Sequence, residues 1–400
     1  MHVAVFYQHY HTPDCPTAAR PYALVQALAA RHRVTLIATD AWRPQRITHD
    51  FAWIPPGVEA HWLGVPYANA MGPGRRLRSY LQYALCALLQ SRRVDRPDVV
   101  FGSSTPLTAA LAAALAARRW GVPWVFEVRD LWPDFPIEMG AVQSPRLQHL
   151  LYEIERWLYR SAARIVTASP DQTAHVHAQV ARPEKVSTVE YGTELDLVAA
   201  IREENLDALR ARLAPNGQRI VLYAGSFGRA NAIPTLVDTA ARLESRADVC
   251  FVFAGDGFYA PLLRRAAERL PNVRLLPPQP RRRALALFCL ADLTLVPFID
   301  LPVLATNGPS KLYDSLAAGT PVVVTNPGWT KRLVETHGCG WFVPAACPDR
   351  LAACIATLAD APDRLQRAGA RAAAHARRRF DLAAHMARPR AIVEAAASHP

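Results

Sequence analysis

Short runs of apolar, often β-branched residues alternate along this chain with stretches whose apolar positions recur every three or four residues. The run "HVAVFY" (2–7) is followed by helical spacing in "YALVQALAARH" (22–32) and then by "VTLIAT" (34–39). The alternation continues with "DVVFGSS" (98–104), a helical pattern over 106–120, "PWVFEVRD" (123–130), a helix over 145–162, "RIVTAS" (164–169) and a helix over 170–180. A second series opens at "RIVLYAG" (219–225) and runs through "VCFVFAG" (249–255), "VRLL" (273–276), "LTLVPF" (293–298) and "PVVVT" (321–325), with helical spacing between the strands. Strands that are apolar throughout and separated by helices belong to parallel sheets covered on both faces. The pattern predicts an α/β chain of two doubly wound, Rossmann-like domains facing a cleft, over 1–196 and 218–378. Residues 197–217, charged, helical and ending in "PNGQ", read as a linker. Helical patterns over 362–379 and 382–397 close the chain, and 379–400 is expected to return to the first domain. In such sheets ligands bind outside the carboxyl ends of the strands.

Composition narrows the partners. Forty-six basic residues against 34 acidic ones give a net charge of +12, which favours phosphate groups or an acidic membrane surface. Only Lys185, Lys311 and Lys331 are lysines; the excess of arginine reads first as base composition of the coding DNA. No basic run exceeds three residues and none is interleaved with aromatics, so nucleic acid is not an expected partner. Seven cysteines without a CxxC pair fit reduced thiols in a cytosol. The first apolar stretch is too short for a signal peptide and the longest, "LTAALAAALAA" (107–117), is too short to span a bilayer. The expected location is cytoplasmic, either soluble or peripheral on the cytoplasmic face of the inner membrane. There "GPGRRLRSYLQYALCALLQSRRVDRP" (72–97) brackets an apolar helix with arginines; it can lie on an anionic surface or pack on its own sheet.

Chemistry-bearing residues collect at the predicted strand ends. After 123–128 come Glu127, Arg129, Asp130, Trp132 and Asp134, either a reaction centre or a loop fixed by an Arg129 ion pair. The loop after the first strand carries His9, His11 and Asp14. Two histidines two apart are too sparse for a metal site, and no metal is expected; acceptor lining or plain loop are the readings left. In the second half, Gly225, Ser226 and Gly228 join strand to helix, and Arg229 adds a charge where helix amides and dipole already favour an anion. "GDGFYA" (255–260) resembles a dinucleotide turn, but the next strand ends in "PPQP" without the acid that a nicotinamide site needs. In "PSKLYDSLAAGTPVV" (309–323), Ser310 begins a helix and Lys311 sits in its first turn, an unfavourable place for a cation unless an anion answers it. Asp314 lies one turn on. The pair reads either as Lys311 on phosphate and Asp314 on ribose hydroxyls, or as a salt bridge on a solvated face worth about 0.3 kcal/mol.

Taken together, "SKLYDSLAAGTPVVV", "YAGSFGR", "FVFAGDG" and "ADLTLVPF" resemble, in order, the second-domain motifs of retaining GT-B glycosyltransferases of family 4. "VFEVRDLWPD" resembles a branch that transfers amino- or deoxysugars in bacterial surface polysaccharide synthesis. The resemblance covers nearly the whole chain. It implies a nucleotide diphosphosugar donor, UDP-linked, and a lipid-linked or glycan acceptor, without cofactor or metal. It places Asp314 on the ribose, Asn307, Gly308, Ser310 and Lys311 on pyrophosphate and sugar, Gly228 and Arg229 on pyrophosphate, and Asp256, Gly257 and Pro277 beside the base. Thr306 stands where the family often has an acid. The resemblance also implies front-face attack; position at the strand ends, rather than the resemblance, singles out Asp130 as nucleophile or acceptor-orienting group, with Arg129, which stands where many relatives have a histidine, and Lys311 beside it in the chemistry, and His9, His11, Glu127, Trp132 and Asp134 on the acceptor side. An epimerase or hydrolase of the same fold, or a binder of nucleotide sugars, are the other readings.

Overall fold

The computed structural model describes residues 1–11, 20–39, 41, 54–68 and 71–398. Two compact units account for them. Of the described residues, those up to Glu190 and those from Ala383 onward form one unit, and Tyr191–Leu382 form the other.

The first unit is built on a seven-stranded sheet of β1 (His2–Tyr7), β2 (Arg33–Thr39), β3 (Val58–Leu63), β4 (Val99–Ser103), β5 (Trp124–Val128), β6 (Arg164–Thr167) and β7 (Val186–Thr188). Its order is β3-β2-β1-β4-β5-β6-β7, every neighbouring pair parallel. Val3, Val5, Val99 and Val125 are fully buried, as central strands covered on both faces require. The order reverses between β1 and β4, so the loops after these strands open at a switch point. The final helix, Leu382–Ser398, belongs to this unit from Ala383 onward, and its Glu394 accepts from His32 at 2.8 Å.

The second unit carries β8 (Arg219–Ala224), β9 (Val249–Ala254), β10 (Val273–Leu276), β11 (Leu293–Val296), β12 (Val322–Val324) and β13 (Gly340–Phe342). Its sheet runs β10-β9-β8-β11-β12-β13, again parallel, with the reversal between β8 and β11. Two Rossmann-like α/β units are therefore present, as the hydrophobic pattern predicts.

The pattern misses β3, β7 and β13. "VST" and "GWF" are three residues long, and β3 alternates weakly because it is only partly buried at the sheet edge. The segment 197–217 departs from a linker. It is helical as expected, in Leu195–Arg202 and Asp207–Leu213, but it clusters with the second unit instead of standing between two domains. The cause is burial: Val198, Ile201 and Leu213 are at most 3% exposed, and Arg210 donates to the Leu290 carbonyl and to Asp292.

Candidate active site

Three strand-end loops of the second unit meet at the carboxyl edge of its sheet. The Gly225 amide donates to the Ala254 carbonyl at 2.9 Å, Phe227 to Asp256 at 2.8 Å, Tyr259 to Phe227 at 2.9 Å and Gly255 to Leu276 at 3.1 Å. Such backbone contact leaves no room for a side chain at Gly255 or Gly257. A Cβ on Gly255 would stand 1.9 Å from the Gly225 oxygen, and one on Gly257 about as close as 2.9 Å to Phe227; both residues have φ near +150°. The Asp256 carboxylate accepts from the Gly257 amide and is exposed, and Pro277 is an exposed neighbour at the end of β10. The predicted donor residues Gly225, Ser226, Gly228, Asp256, Gly257 and Pro277 are thus gathered into one region.

Lys311 reaches this region beside Gly225. It sits in the first turn of helix Ser310–Ala317, 9% exposed, its Cε 3.1 Å from where a Gly225 Cβ would be. Its ammonium reaches the Tyr223 hydroxyl and Asn231 Oδ1, each at 3.3 Å, and lies 4.5 Å from the Tyr223 ring centroid. Among the described residues no carboxylate stands within ion-pair distance of it. Burial pushes its pKa down to about 7. Arg229, exposed in the turn Arg229–Asn231, stacks on the exposed Phe258 ring at 4.1 Å and supplies a second cation at the rim. Ser310 begins the helix as expected, and Pro309, which precedes it as the cap, offers no side-chain hydrogen bond to the helix amides. Gly308 is buried beside this start, and the Asn307 carbonyl accepts from the Trp329 indole at 3.1 Å.

Asp314 does not pair with Lys311. It is 4% exposed and gripped by both arms of Arg281 at 2.7 Å, while Thr193 donates to its Oδ1 at 2.8 Å. Arg281 also pairs with Glu194 at 2.6 Å. The expected free carboxylate for ribose hydroxyls is instead the centre of a buried network, with its lone pairs largely occupied. The solvated salt bridge considered as the alternative is absent as well.

In the first unit the loops after β1 and β5 bring together His9, His11, Arg129, Asp130 and Trp132. Asp130 accepts from the Thr105 hydroxyl at 3.2 Å and its carbonyl from Ser104. Burial raises its pKa, while the Arg129 charge and the Thr105 hydrogen bond pull it back. The His9 ring lies tilted against Tyr67 at 4.3 Å, Tyr67 stacks on Tyr80 at 6.0 Å, and Trp132 meets Tyr80 edge-on at 6.0 Å. Burial, the neighbouring imidazole and the Arg129 charge hold His9 well below the ordinary histidine range; burial and Arg129 take His11 down to about 3. Both rings are neutral at physiological pH. Asp14 lies outside the described residues, and among the described residues no three His, Cys, Asp or Glu side chains cluster as metal ligands do.

Two acids expected on the acceptor side are engaged elsewhere. Glu127 is 1% exposed and bound by Arg20 Nε at 3.0 Å and by the Tyr7 hydroxyl. Burial pushes its pKa up, but the Arg20 and Arg129 charges and these hydrogen bonds bring it below the usual range. Arg20 continues to the carbonyls of Val189 and Glu190, so the pair ties β5 to the end of the unit. Asp134 accepts from Tyr152 at 2.7 Å and pairs with His175 at 3.4 Å. Glu127 is a buried charge that needs its partner, and the half-buried Asp134 is likewise held by structural neighbours.

Comparison with known proteins assigns both halves. Residues 17–192 match the "Glycosyl transferase 4-like domain" and residues 207–375 the "Glycosyl transferases group 1" family. A D-inositol 3-phosphate glycosyltransferase of Thermobispora bispora is 30% identical over 350 residues, covering 81% of this chain and 79% of that protein. The chain belongs to the GT-B glycosyltransferases. A probable glycosyltransferase, WbjE of Pseudomonas aeruginosa, is 25% identical over 313 residues, 76% of each chain. The Anabaena Alr3699/HepE structure in complex with UDP-glucose shares the fold of this glycosyltransferase with a TM-score of 0.68 at 17% identity, over all of both chains.

Sequence reasoning misses several residues that organise the glycosyltransferase's two clusters. Tyr223 and Asn231 flank the Lys311 ammonium, and Arg281, Thr193 and Glu194 hold Asp314. Tyr67 and Tyr80 build the aromatic wall near Asp130, and Arg20 neutralises Glu127. Only Tyr223 carries a local signal: it is the penultimate residue of β8, at the strand end where a ligand is expected. The others are reached across the sequence, Thr193 from Asp314 over 121 positions.

Proposed function

We propose that this glycosyltransferase moves a sugar, an amino- or deoxyhexose, from a UDP-linked donor to a lipid-linked or glycan acceptor of surface polysaccharide, with retention at the anomeric carbon. The reading rests on one observation above all: a buried ammonium, that of Lys311, with no carboxylate partner among the described residues, beside glycine loops and an uncapped helix start. A cation left uncompensated in the interior is costly and has a use only when an anion joins it. A departing diphosphate is that anion. Lys311, Arg229 and the amides at 310 and 311 stabilise its growing charge, so that no metal or other cofactor is needed.

In this proposal the bond between the anomeric carbon and the β-phosphate oxygen breaks, and its electron pair stays with the phosphate. The acceptor oxygen bonds to the same face of the anomeric carbon, and its proton passes to a departing phosphate oxygen. Asp130 with Arg129 orients the acceptor; the Thr105 hydrogen bond that holds one carboxylate oxygen suits an orienting group better than a nucleophile. Glu127 and Asp134 are left out of the acceptor role. Their places are taken by His9, His11 and Trp132, with Tyr67 and Tyr80 as a wall on which sugar rings can stack. Asp314 acts through the position of its helix, since Arg281 and Thr193 already occupy it.

The test is thermal-shift screening with UDP-, GDP- and dTDP-sugars, followed by product analysis with and without a polyprenyl-phosphate-linked acceptor. Stabilisation by UDP that is lost in Lys311→Met, with glycosylated lipid as product, is the expected result. Donor breakdown that ignores the acceptor would assign a hydrolase, and stabilisation without donor consumption a binder.

A further inference from the structure

Helix Pro73–Ser91 in the first unit shows two opposed stripes. Ser79, Tyr83, Ala87 and Ser91, four residues apart, are buried against the unit. Leu77, Leu81, Leu85 and Leu89, also four apart, are 54%, 55%, 60% and 50% exposed. At 3.6 residues per turn the four leucines form one row about 18 Å long on the outer face. They account for four of the nine large hydrophobic residues left exposed among the described residues, so the apolar exposure is concentrated here. Apolar exposure gathered into one contiguous patch, unlike single scattered apolar residues, is a mark of an interaction surface.

Charge identifies what the row meets. Arg75 and Arg78 precede or overlap its start, and Arg92 and Arg93 follow its end; all four are exposed. By the helical step Arg78 and Arg92 project from the leucine face itself. No acidic residue lies between Met71 and Val94. Leucines at one depth, with guanidinium groups at both ends and no carboxylate among them, match the boundary of an anionic bilayer: acyl chains below, phosphate headgroups at the margin. No helix among the described residues is long and apolar enough to cross a membrane, so the contact is with the surface.

We propose that the Leu77–Leu89 face, with its flanking arginines, docks this protein on an anionic lipid surface. A convex row of half-exposed leucines penetrates a headgroup layer without rearrangement, and the arginines add attraction of about fivefold each, screened by salt. The inference does not depend on the donor site, and its test uses no donor.

The test is flotation of the full chain with phosphatidylcholine vesicles, with and without phosphatidylglycerol, at low and high salt. The wild-type chain is expected to float with the anionic vesicles at low salt and to release at high salt. Leu81→Ser with Leu85→Ser should lower partitioning on the order of tenfold or more with an unchanged melting temperature, because both side chains are on the surface. Arg75→Gln with Arg78→Gln should lower it about 25-fold and flatten the salt dependence. Absence of wild-type flotation, equal binding to neutral vesicles, or undiminished binding by both variants would overturn the proposal. So would self-association abolished by the leucine changes without vesicle binding, which would assign the face to a second copy of the chain.

Discussion

Replacing Lys311 by methionine separates a lysine kept for a ligand from one kept for the fold. The ammonium is buried and its pKa falls from 10.5 to about 7. Each tenfold change in proton affinity is about 1.4 kcal/mol, so holding the charged form in the native state costs at most about 5 kcal/mol, offset in part by Tyr223 and Asn231. Methionine has a similar length and no charge. Lys311→Met is therefore expected to stabilise the ligand-free protein at pH 7, by roughly 2–4 kcal/mol after the lost hydrogen bonds are discounted. For a unit of this size that raises the melting temperature by on the order of 5–10 °C. The pH dependence has a definite sign. Between about pH 7 and 10.5 the unfolded lysine carries a proton that the native one does not, so wild-type stability rises with pH through this window, by up to about 1.4 kcal/mol per pH unit. The advantage of the variant should be full below about pH 7 and shrink toward pH 10. The measurement is thermal unfolding of both proteins across that range, with and without UDP. UDP should stabilise the wild type and have little effect on Lys311→Met. A variant less stable than wild type, or a difference unaffected by pH, would refute the reasoning, since it would make the lysine a structural group.

Arg281→Leu leaves Asp314 buried without its cation, and chemical denaturation should show a loss of about 3–5 kcal/mol, far above that of an exposed arginine such as Arg282. Gly255→Ala places a methyl 1.9 Å from the Gly225 oxygen at a φ of +153°, so expression, melting temperature and UDP binding should all fall together; a variant with native stability would show that the loops can separate. Asp130→Asn keeps the shape and the Thr105 contact but removes the charge that orients the acceptor, and kcat is expected to drop on the order of 10²-fold with donor KM little changed; near-full turnover would end its orienting role. Glu127→Gln should act on stability, by about 3 kcal/mol, because Arg20 loses its buried counter-charge, with acceptor KM unmoved in the protein that remains folded.

The chain's hydrophobic periodicity was enough to predict both sheets, because the cost of leaving a parallel strand exposed on either face writes an apolar run into every central strand. It also marked the turns where glycine alone fits, at Gly255 and Gly257, and the odd position of a lysine at a helix start. The short edge strands β3, β7 and β13 escaped, since an edge buries too little to need a strong pattern. Which charges are free and which are spent was decided only in the folded chain. Glu127, Asp130, Lys311 and Asp314 look equally available along the sequence. Arg20 takes Glu127 across 107 positions, Arg281 takes Asp314 across 33, and no described acid reaches Lys311. A buried charge is answered by whatever stands beside it in space, and spatial neighbours on different strands and helices have no fixed spacing in sequence.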